Sequence, residues 1–197
     1  VPLQIGVHLL PTLFRDFKNL YPEIELEVVE AGGIDSLRMI ENEELDLAVT
    51  NYDDSFSPNL HYRKLFKSEA CFCTYPDHPL AQKKYVDTKD IANEPLVLLN
   101  GGFFVNRLIY QNFQQALTAP KVILHSSQLH TVKNLISSQI ASSFLMRQAI
   151  TASDNIIPLS LKKPLFINSG IVTKRGRQIY GDEQKLIEFI CDNQPLG

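Results

Sequence analysis

The sequence predicts an α/β protein made of two units of similar pattern that are joined by two long extended segments. Three observations lead to this fold class. Apolar strands alternate with amphipathic helices before residue 60, and the same alternation restarts after residue 95. Two long extended stretches, one from Leu60 and one at Pro164–Lys174, have no helical partner. Alternating strands and helices are typical of sheets covered by helices, so each extended stretch is expected to pass between the units.

The first unit is expected to run strand, helix, strand, helix, strand. Its first strand is the short apolar run Leu3–Val7, and residues 9–20 follow with helical spacing until Pro22 ends the helix. Residues 23–31 alternate with period two, a shorter helix comes next, and residues 45–51 are almost wholly apolar, as in a strand buried on both faces. We therefore expect a three-stranded parallel core with right-handed crossovers.

The second unit repeats this alternation, and the last helix returns to the first unit. The predicted elements are strand 96–99, helix 103–117, strand 121–125, helix 127–137, strand 140–145, a short helix from 147, strand 155–159 and the final helix 181–193. Because the chain crosses twice, the two extended stretches are expected to form a hinge. A cleft would then face the carboxyl ends of the strands, where open parallel sheets bind small ligands.

Composition excludes several function classes. The 197 residues carry 19 basic and 22 acidic side chains, a net charge of −3, which argues against this chain alone holding a nucleic-acid backbone. No apolar run approaches the roughly 18–20 residues of a membrane span, so no membrane partner is expected, and the N-terminus has no visible signal peptide. Three cysteines form an odd count without a disulfide framework, which is typical of a reducing compartment such as the cytoplasm. Cys71 and Cys73 are interpreted as buried small hydrophobes.

Several strings, taken in their order and spacing, resemble one known family. The chain reads YPEIELEVVE at 21–30, ELDLAV at 44–49 and PDHPLA at 76–81. Together with LLPTLFRDFKNLYP and DIANEPLVLL, these strings resemble the effector-binding domain of LysR-type transcriptional regulators. The resemblance extends from Val1 to about Asn193.

The resemblance implies a type 2 periplasmic-binding-protein-like fold, with two Rossmann-like subdomains joined by two crossover strands. Subdomain I would comprise residues 1–73 plus 171–197, and subdomain II residues 74–170. The family's members sense a small molecule, without catalysis or a cofactor, and contact DNA only through an N-terminal helix-turn-helix domain, which we expect to be absent from this chain. A solute-binding protein of a transport system is the alternative.

The resemblance also implies a homodimer in which sensor domains pair antiparallel, and a tetramer at full length. Leu37, Ile40 and Ile109 lie on helices that are candidate contact surfaces, although these residues could equally belong to the core. Sequence alone leaves both possibilities open.

Two departures from the family pattern stand out. The family's longer polar turn after the first strand is reduced here to His8, either by a deletion or because residues are absent from the chain as given. The family string Gly-x-Gly-Ile-Ala-x-Leu-Pro appears as SSQIASSFLM, with Met146 in place of the proline. We expect serines at this strand end to change what the cleft accepts.

The candidate ligand residues lie where predicted strands end or helices begin. In LHSSQLHTVKNLI, Ser126 or Ser127 is expected to cap a helix start, whose free N–H groups favour an anion; a cap that serves only its own helix is the alternative. One helix earlier, a Gly-Gly pair would let the backbone approach a ligand. The full set is His8, Thr50, Asn51, Asn100, Gly101, Gly102, Ser126, Ser127 and Gln128. It is polar and contains no arginine, which favours a small polar or anionic metabolite as effector.

Neither a catalytic site nor a metal site is expected. HSSQLH lacks the flanking glycines of a nucleophile elbow. Asp53 and Asp54 could serve a dehydratase-type enzyme, but they have no partner at the sequence level. The five histidines do not share a metal-ligand spacing.

Overall fold

The structure is a computed structural model, and it describes residues 1–53, 56–100 and 104–193. Gly101 and Gly102, two of the predicted ligand residues, lie outside the described residues.

The chain divides into two compact units. The first comprises Val1–Lys67 and Asn168–Gly197, and the second comprises Ser68–Ile167. The chain therefore passes from the first unit to the second once and returns once. The subdomain boundaries expected from sequence lie a few residues further along, after residues 73 and 170, and they stay a prediction.

The described residues form helices and strands in alternation along most of the chain. The helices are α1 Leu3–Thr12, α2 Lys18–Leu20, α3 Gly33–Glu41, α4 Phe104–Gln115, α5 Leu129–Ser137 and α6 Gly181–Asp192, with a π-helical turn at Leu13–Phe17 and 3-10 turns at Arg147–Ala149 and Ala152–Asp154. The strands are β1 Ala48–Tyr52, β2 Leu60–Thr74, β3 Pro95–Leu99, β4 Lys121–Ser126, β5 Ser143–Met146, β6 Ile157–Leu159 and β7 Leu165–Lys174. No helix among them has both the length and the apolar character that crossing a membrane requires.

The prediction that Leu3–Val7 forms the first strand is wrong, because these residues belong to α1. Ile5, Leu9, Leu13 and Phe17 recur at every fourth position and are all buried in the core of the first unit. This spacing keeps one helical face apolar from the start of the run, so the short apolar segment is in phase with the helix that follows it.

The prediction of a three-stranded parallel core is also wrong, because the described residues of the first unit do not form one. Residues 23–31 contain no assigned strand, and β1 pairs antiparallel with β7. Val1 makes two backbone contacts with the 23–31 segment: its amino group donates to the Val29 carbonyl at 2.7 Å, and its carbonyl accepts from the Ala31 N–H at 3.1 Å. A strand needs a ladder partner, and the segment that was expected to supply one is helical.

The sheet of the first unit places β7 between β1 and β2. Gly170 of β7 lies so close to β2 that an added Cβ would sit 2.2 Å from the Arg63 carbonyl oxygen. The core beneath the sheet is formed by α1, the π-helical turn, β1, β7 and α6, and α6 contributes Ile187, Phe189 and Ile190.

The second unit follows the predicted alternation closely. β3 and β4 pair in parallel, a parallel bridge joins Leu96 to Ser142, and β5 and β6 pair antiparallel with β2. Its core contains Val97 and Leu99 of β3 together with Val132 and Ile136 of α5. Both helices that follow β3 and β4 were predicted, and they begin at Phe104 and Leu129.

Two cysteines of β2 belong to this core. Cys71 and Cys73 are fully buried, which confirms the interpretation of these residues as small hydrophobes. Burial raises the pKa of the Cys71 thiol to about 12 and also raises that of Cys73. Both side chains therefore remain uncharged thiols at neutral pH.

We expect Gly170→Ala to lower the free energy of unfolding by about 1–3 kcal/mol, because the new methyl group would overlap the Arg63 carbonyl and force two strands apart. Gly181→Ala is the matched control, since an added Cβ there meets no atom within 4 Å. Urea unfolding measures both. Equal effects of the two substitutions would contradict the close packing of β7 on β2.

Candidate functional site

The candidate site in the second unit is built on the carboxyl ends of two adjacent parallel strands. Leu99, the last residue of β3, lies opposite Ser126, the last residue of β4. The next residue, Asn100, donates its N–H to the Ser126 carbonyl at 2.9 Å. The structure thus brings Asn100 and Ser126 together, as expected for strand ends in an open parallel sheet.

Asn106, in the first turn of α4, secures the end of β3. Its Nδ2 donates to the carbonyls of Leu99 at 2.6 Å and Asn100 at 3.2 Å. The side chain is buried, and its Oδ1 is the one buried side-chain oxygen or nitrogen without a hydrogen-bond partner among the described residues. A buried acceptor left unpaired costs about 1–3 kcal/mol, so this atom calls for an explanation.

The sequence analysis missed Asn106. A signal was present, because Asn106 shares a helical phase with Ile109 and Phe113, which face the core. A polar residue at a core-facing position in the first turn of the helix that follows a strand is a stronger indication of a polar site than an exposed serine.

The start of α5 differs from the expected arrangement. The N-cap residue is Gln128, so neither Ser126 nor Ser127 caps the helix, and no side chain forms a capping hydrogen bond. Ser126 instead accepts the Gln128 N–H on its Oγ at 3.1 Å, while Ser127 is exposed. The expected cap fails because the helix begins one residue later than a Ser127 cap and two residues later than a Ser126 cap would require.

The side chain of Gln128 is held along the helix. Its Oε1 accepts a hydrogen bond from the Thr131 hydroxyl at 3.0 Å. The N–H groups of the first helical turn therefore keep their partial positive charge without a side-chain cap. An anion or a carbonyl oxygen is the natural partner for such groups.

The orientation of α5 is fixed at its centre and at its far end. Lys133 Nζ donates to Asp154 Oδ2 at 2.7 Å, and Ser137 Oγ donates to the Asp154 carbonyl at 2.8 Å. Asp154 also accepts the Thr151 N–H at 2.7 Å. Burial by itself would raise the pKa of Asp154, but the hydrogen bonds from Lys133 and Thr151 outweigh it and hold the pKa below its usual value.

The predicted residues of the first unit have partners within that unit. Thr50 is fully buried in β1, with its hydroxyl directed to the Asn51 carbonyl at 3.3 Å. Asn51 Nδ2 donates to Ser169 Oγ at 2.8 Å. His8 lies inside α1, half-buried, and so does not end a strand as expected.

The part of the chain that the structure describes contains no candidate metal site, and Ser126 and His130 are each engaged with other partners. Within that part, no group of three or more His, Cys, Asp and Glu residues could hold a metal ion. His130 Nε2 lies 3.0 Å from Asn134 Nδ2 on the same helix, and the Ser126 hydroxyl is engaged with Gln128. Asp54 lies outside the described residues.

Comparison with known proteins identifies the family. Residues 1–194 match the LysR substrate binding domain. The chain belongs to this family. This is the effector-binding domain of LysR-type transcriptional regulators, and it has the type 2 periplasmic-binding-protein-like fold that the sequence predicts.

Curated relatives of this LysR domain are regulators. It is 25% identical over 198 residues to the transcriptional dual regulator GltC of Bacillus subtilis (strain 168), which covers 96% of this chain and 64% of that protein. It is 24% identical over 166 residues to the uncharacterized HTH-type transcriptional regulator YwbI of the same organism, covering 81% of this chain and 54% of that protein. The chain thus spans roughly half to two thirds of the length of these relatives. The transport solute-binding protein is not supported as an alternative.

Solved LysR effector domains have the same fold. The effector binding domain of QuiR in complex with shikimate aligns with a TM-score of 0.80 at 20% identity, covering 97% of this chain and 92% of that one. The regulatory domain of CcmR of Synechocystis PCC6803 in complex with 2-PG aligns with a TM-score of 0.86 at 17% identity, covering 97% and 93%.

Two of the serines in the string that replaces the LysR family's glycine-containing string lie at the start of β5. Ser142 and Ser143 are both buried in the second unit. Ser142 donates to Thr74 Oγ1 at 3.0 Å, and Ser143 donates to the Val97 carbonyl at 2.6 Å. Their hydroxyls are used inside the core, and the expectation that serines here change what the cleft accepts stays a prediction.

We expect Asp154→Asn to lower the free energy of unfolding by about 1 kcal/mol at pH 7. A carboxylate with a lowered folded-state pKa stabilises the fold above its unfolded pKa of about 4, and this contribution is lost as the pH falls through the folded-state pKa. The difference between the two proteins should therefore shrink in acid. Chemical unfolding between neutral and acidic pH measures this.

Asp77→Asn is the control, because Asp77 lies exposed in a turn of the same unit. A constant difference between wild type and Asp154→Asn at every pH would contradict the role assigned to the Lys133–Asp154 pair.

Proposed function

We propose that this domain senses a small polar or anionic metabolite at the carboxyl ends of β3 and β4, and that the whole protein is a LysR-type transcriptional regulator. DNA would be contacted by a helix-turn-helix domain of the kind that the family places before the sensor domain. A regulator of this type works on DNA, so we place it in the cytoplasm. Catalysis has no part in this proposal.

The observation that carries the proposal is the convergence of polar groups at one edge of the second unit. Asn100, Ser126 and the uncapped start of α5 lie at adjacent strand ends, linked by the hydrogen bond from Asn100 to Ser126. Ser127 and Gln128 continue the same edge. The predicted contributions of Gly101 and Gly102, and of His8, Thr50 and Asn51 in the first unit, belong to the same proposal.

The proposal that the effector is small is supported by two similar solved structures. The QuiR domain is in complex with shikimate and the CcmR domain with 2-PG, and a small metabolite is proposed here by analogy. Binding would act by shifting the populations of two conformations. An effector that binds one conformation more tightly increases the population of that conformation, to an extent set by the difference in affinity. A coupling of about 1–3 kcal/mol is typical of such regulation.

We expect Ser126→Ala to weaken effector binding by up to about tenfold, since one hydrogen bond contributes about 0.5–1.5 kcal/mol. A panel of small carboxylates and polyols, screened by thermal shift on wild type, supplies the ligand for this comparison. Ser138→Ala is the matched control, because Ser138 is exposed at the opposite end of α5. Equal stabilisation of both variants and wild type by the ligand would remove the β4 end from the proposed site.

The proposed homodimer needs contact residues other than the three named from the sequence. Leu37, Ile40 and Ile109 are wholly buried, so they belong to the core and cannot contact a partner. Exposed apolar side chains occur at Val7 of α1 and Phe14 of the π-helical turn that follows it, and at Ile123 and Leu124 of β4. These lie in different units, as an antiparallel pairing of first unit with second unit requires. A tetramer at full length is part of the same proposal.

We expect Ile123→Lys to shift the protein towards monomer, because a charge at an apolar contact must be desolvated without a partner. Ile140→Lys is the control: Ile140 is equally exposed in the same unit but lies outside β4. Sedimentation velocity over a range of concentrations measures both. A wild type that stays monomeric, or a dimer that both variants weaken alike, would count against β4 as the contact surface.

A further inference from the structure

The unpartnered oxygen of Asn106 restricts the chemistry of the ligand that the strand ends accept. Asn106 is only 5% exposed to solvent, and its Oδ1 has no hydrogen-bond partner among the described residues. Native structures pair the great majority of buried polar atoms. Among the described residues, this exception lies beside the proposed site and is an acceptor that a bound ligand could pair.

The orientation of the Asn106 amide is determined by its surroundings. Nδ2 lies within hydrogen-bond distance of two carbonyl oxygens, those of Leu99 and Asn100. Turning the amide over would place Oδ1 against both carbonyls and leave no donor for either, so the assignment is the one that the network requires. Oδ1 is therefore the atom that remains free to accept.

Asn106 is part of the same network as the strand ends. It binds the Asn100 carbonyl at 3.2 Å, and Asn100 donates its N–H to Ser126. Asn106 is thus joined to the ends of both strands through Asn100. The uncapped start of α5 follows Ser126 by only a few residues.

We propose that Asn106 is a specificity-determining residue whose Oδ1 accepts a hydrogen bond from a hydroxyl or amino group of the effector. This inference rests on the proposed function. The free N–H groups of α5 take an anionic or carbonyl oxygen, whereas Asn106 takes a donor. The ligand class is then a hydroxy- or amino-carboxylate, and a carboxylate without a donor is discriminated against.

The test uses matched pairs of probes: L-malate with succinate, L-glutamate with glutarate, and shikimate with cyclohexene carboxylate. The members of each pair share the carboxylate and differ in hydroxyl or amino groups. In thermal-shift titrations of wild type, we expect at least one donor-bearing member to bind about tenfold more tightly than its partner. This comparison needs no variant, so equal binding of both members of every pair overturns the inference even if a substitution at Asn106 prevents folding.

Asn106→Ala should abolish the preference between the members of that pair. Asn112→Ala is the matched control on the same helix, because Asn112 already has a partner: its Oδ1 accepts the hydroxyl of Thr88. This control should lose some stability and keep the preference. A purely structural Asn106 would make the two variants behave alike.

Three results would overturn the inference: equal binding of both members of every pair, a preference that survives in Asn106→Ala, or no binding by any donor-bearing probe. The proposed site is judged separately through Ser126→Ala. If both members of a pair bind equally and Ser126→Ala weakens both, the site stands and the role of Asn106 falls. If Ser126→Ala leaves a bound probe unaffected, the site itself falls.

Discussion

The candidate site depends on one interaction, the parallel pairing of β3 with β4. This register sets Leu99 opposite Ser126, and every polar group considered for ligand contact in the second unit derives its position from it. A slip of one residue would turn the side chains of β4 to the other face and move the start of α5 with them. Apolar packing maintains the register, because β3 is buried along nearly its whole length between the core and its neighbours.

The fold of the second unit was predictable because its signals agree with one another. Its strands are short apolar runs, and its helices carry one apolar face. The spacing of apolar residues changes where the chain passes from a strand to a helix. The first unit was less predictable for a specific reason. Leu3–Val7 is short enough to be a strand, but Ile5 is in phase with Leu9 and Leu13, and a short apolar run cannot be assigned by periodicity alone. Because that run is helical, residues 23–31 have no neighbouring strand there with which to pair, despite their alternating pattern.

The candidate site was predictable in its location more than in its chemistry. The ends of β3 and β4 follow from topology, whereas the hydrogen bonds of their polar residues depend on one- and two-residue offsets. Ser126 supports the turn into α5 and does not cap it, and Ser142 and Ser143 serve the core. Asn106 was missed because a polar residue within an amphipathic helix is usually assumed to be exposed, although its spacing from Ile109 and Phe113 places it on the buried face.

The buried thiols of β2 make the domain convenient for site-specific labelling. Cys71 and Cys73 are inaccessible, and their raised pKa values keep them from forming the thiolate that reacts with maleimides. Cys191, at the end of α6, is half-buried and also has a pKa raised by burial. Replacing Cys191 alone would therefore leave a background suited to a fluorophore or spin label on an introduced cysteine. Distances between such labels would report directly on how the domain responds to its effector.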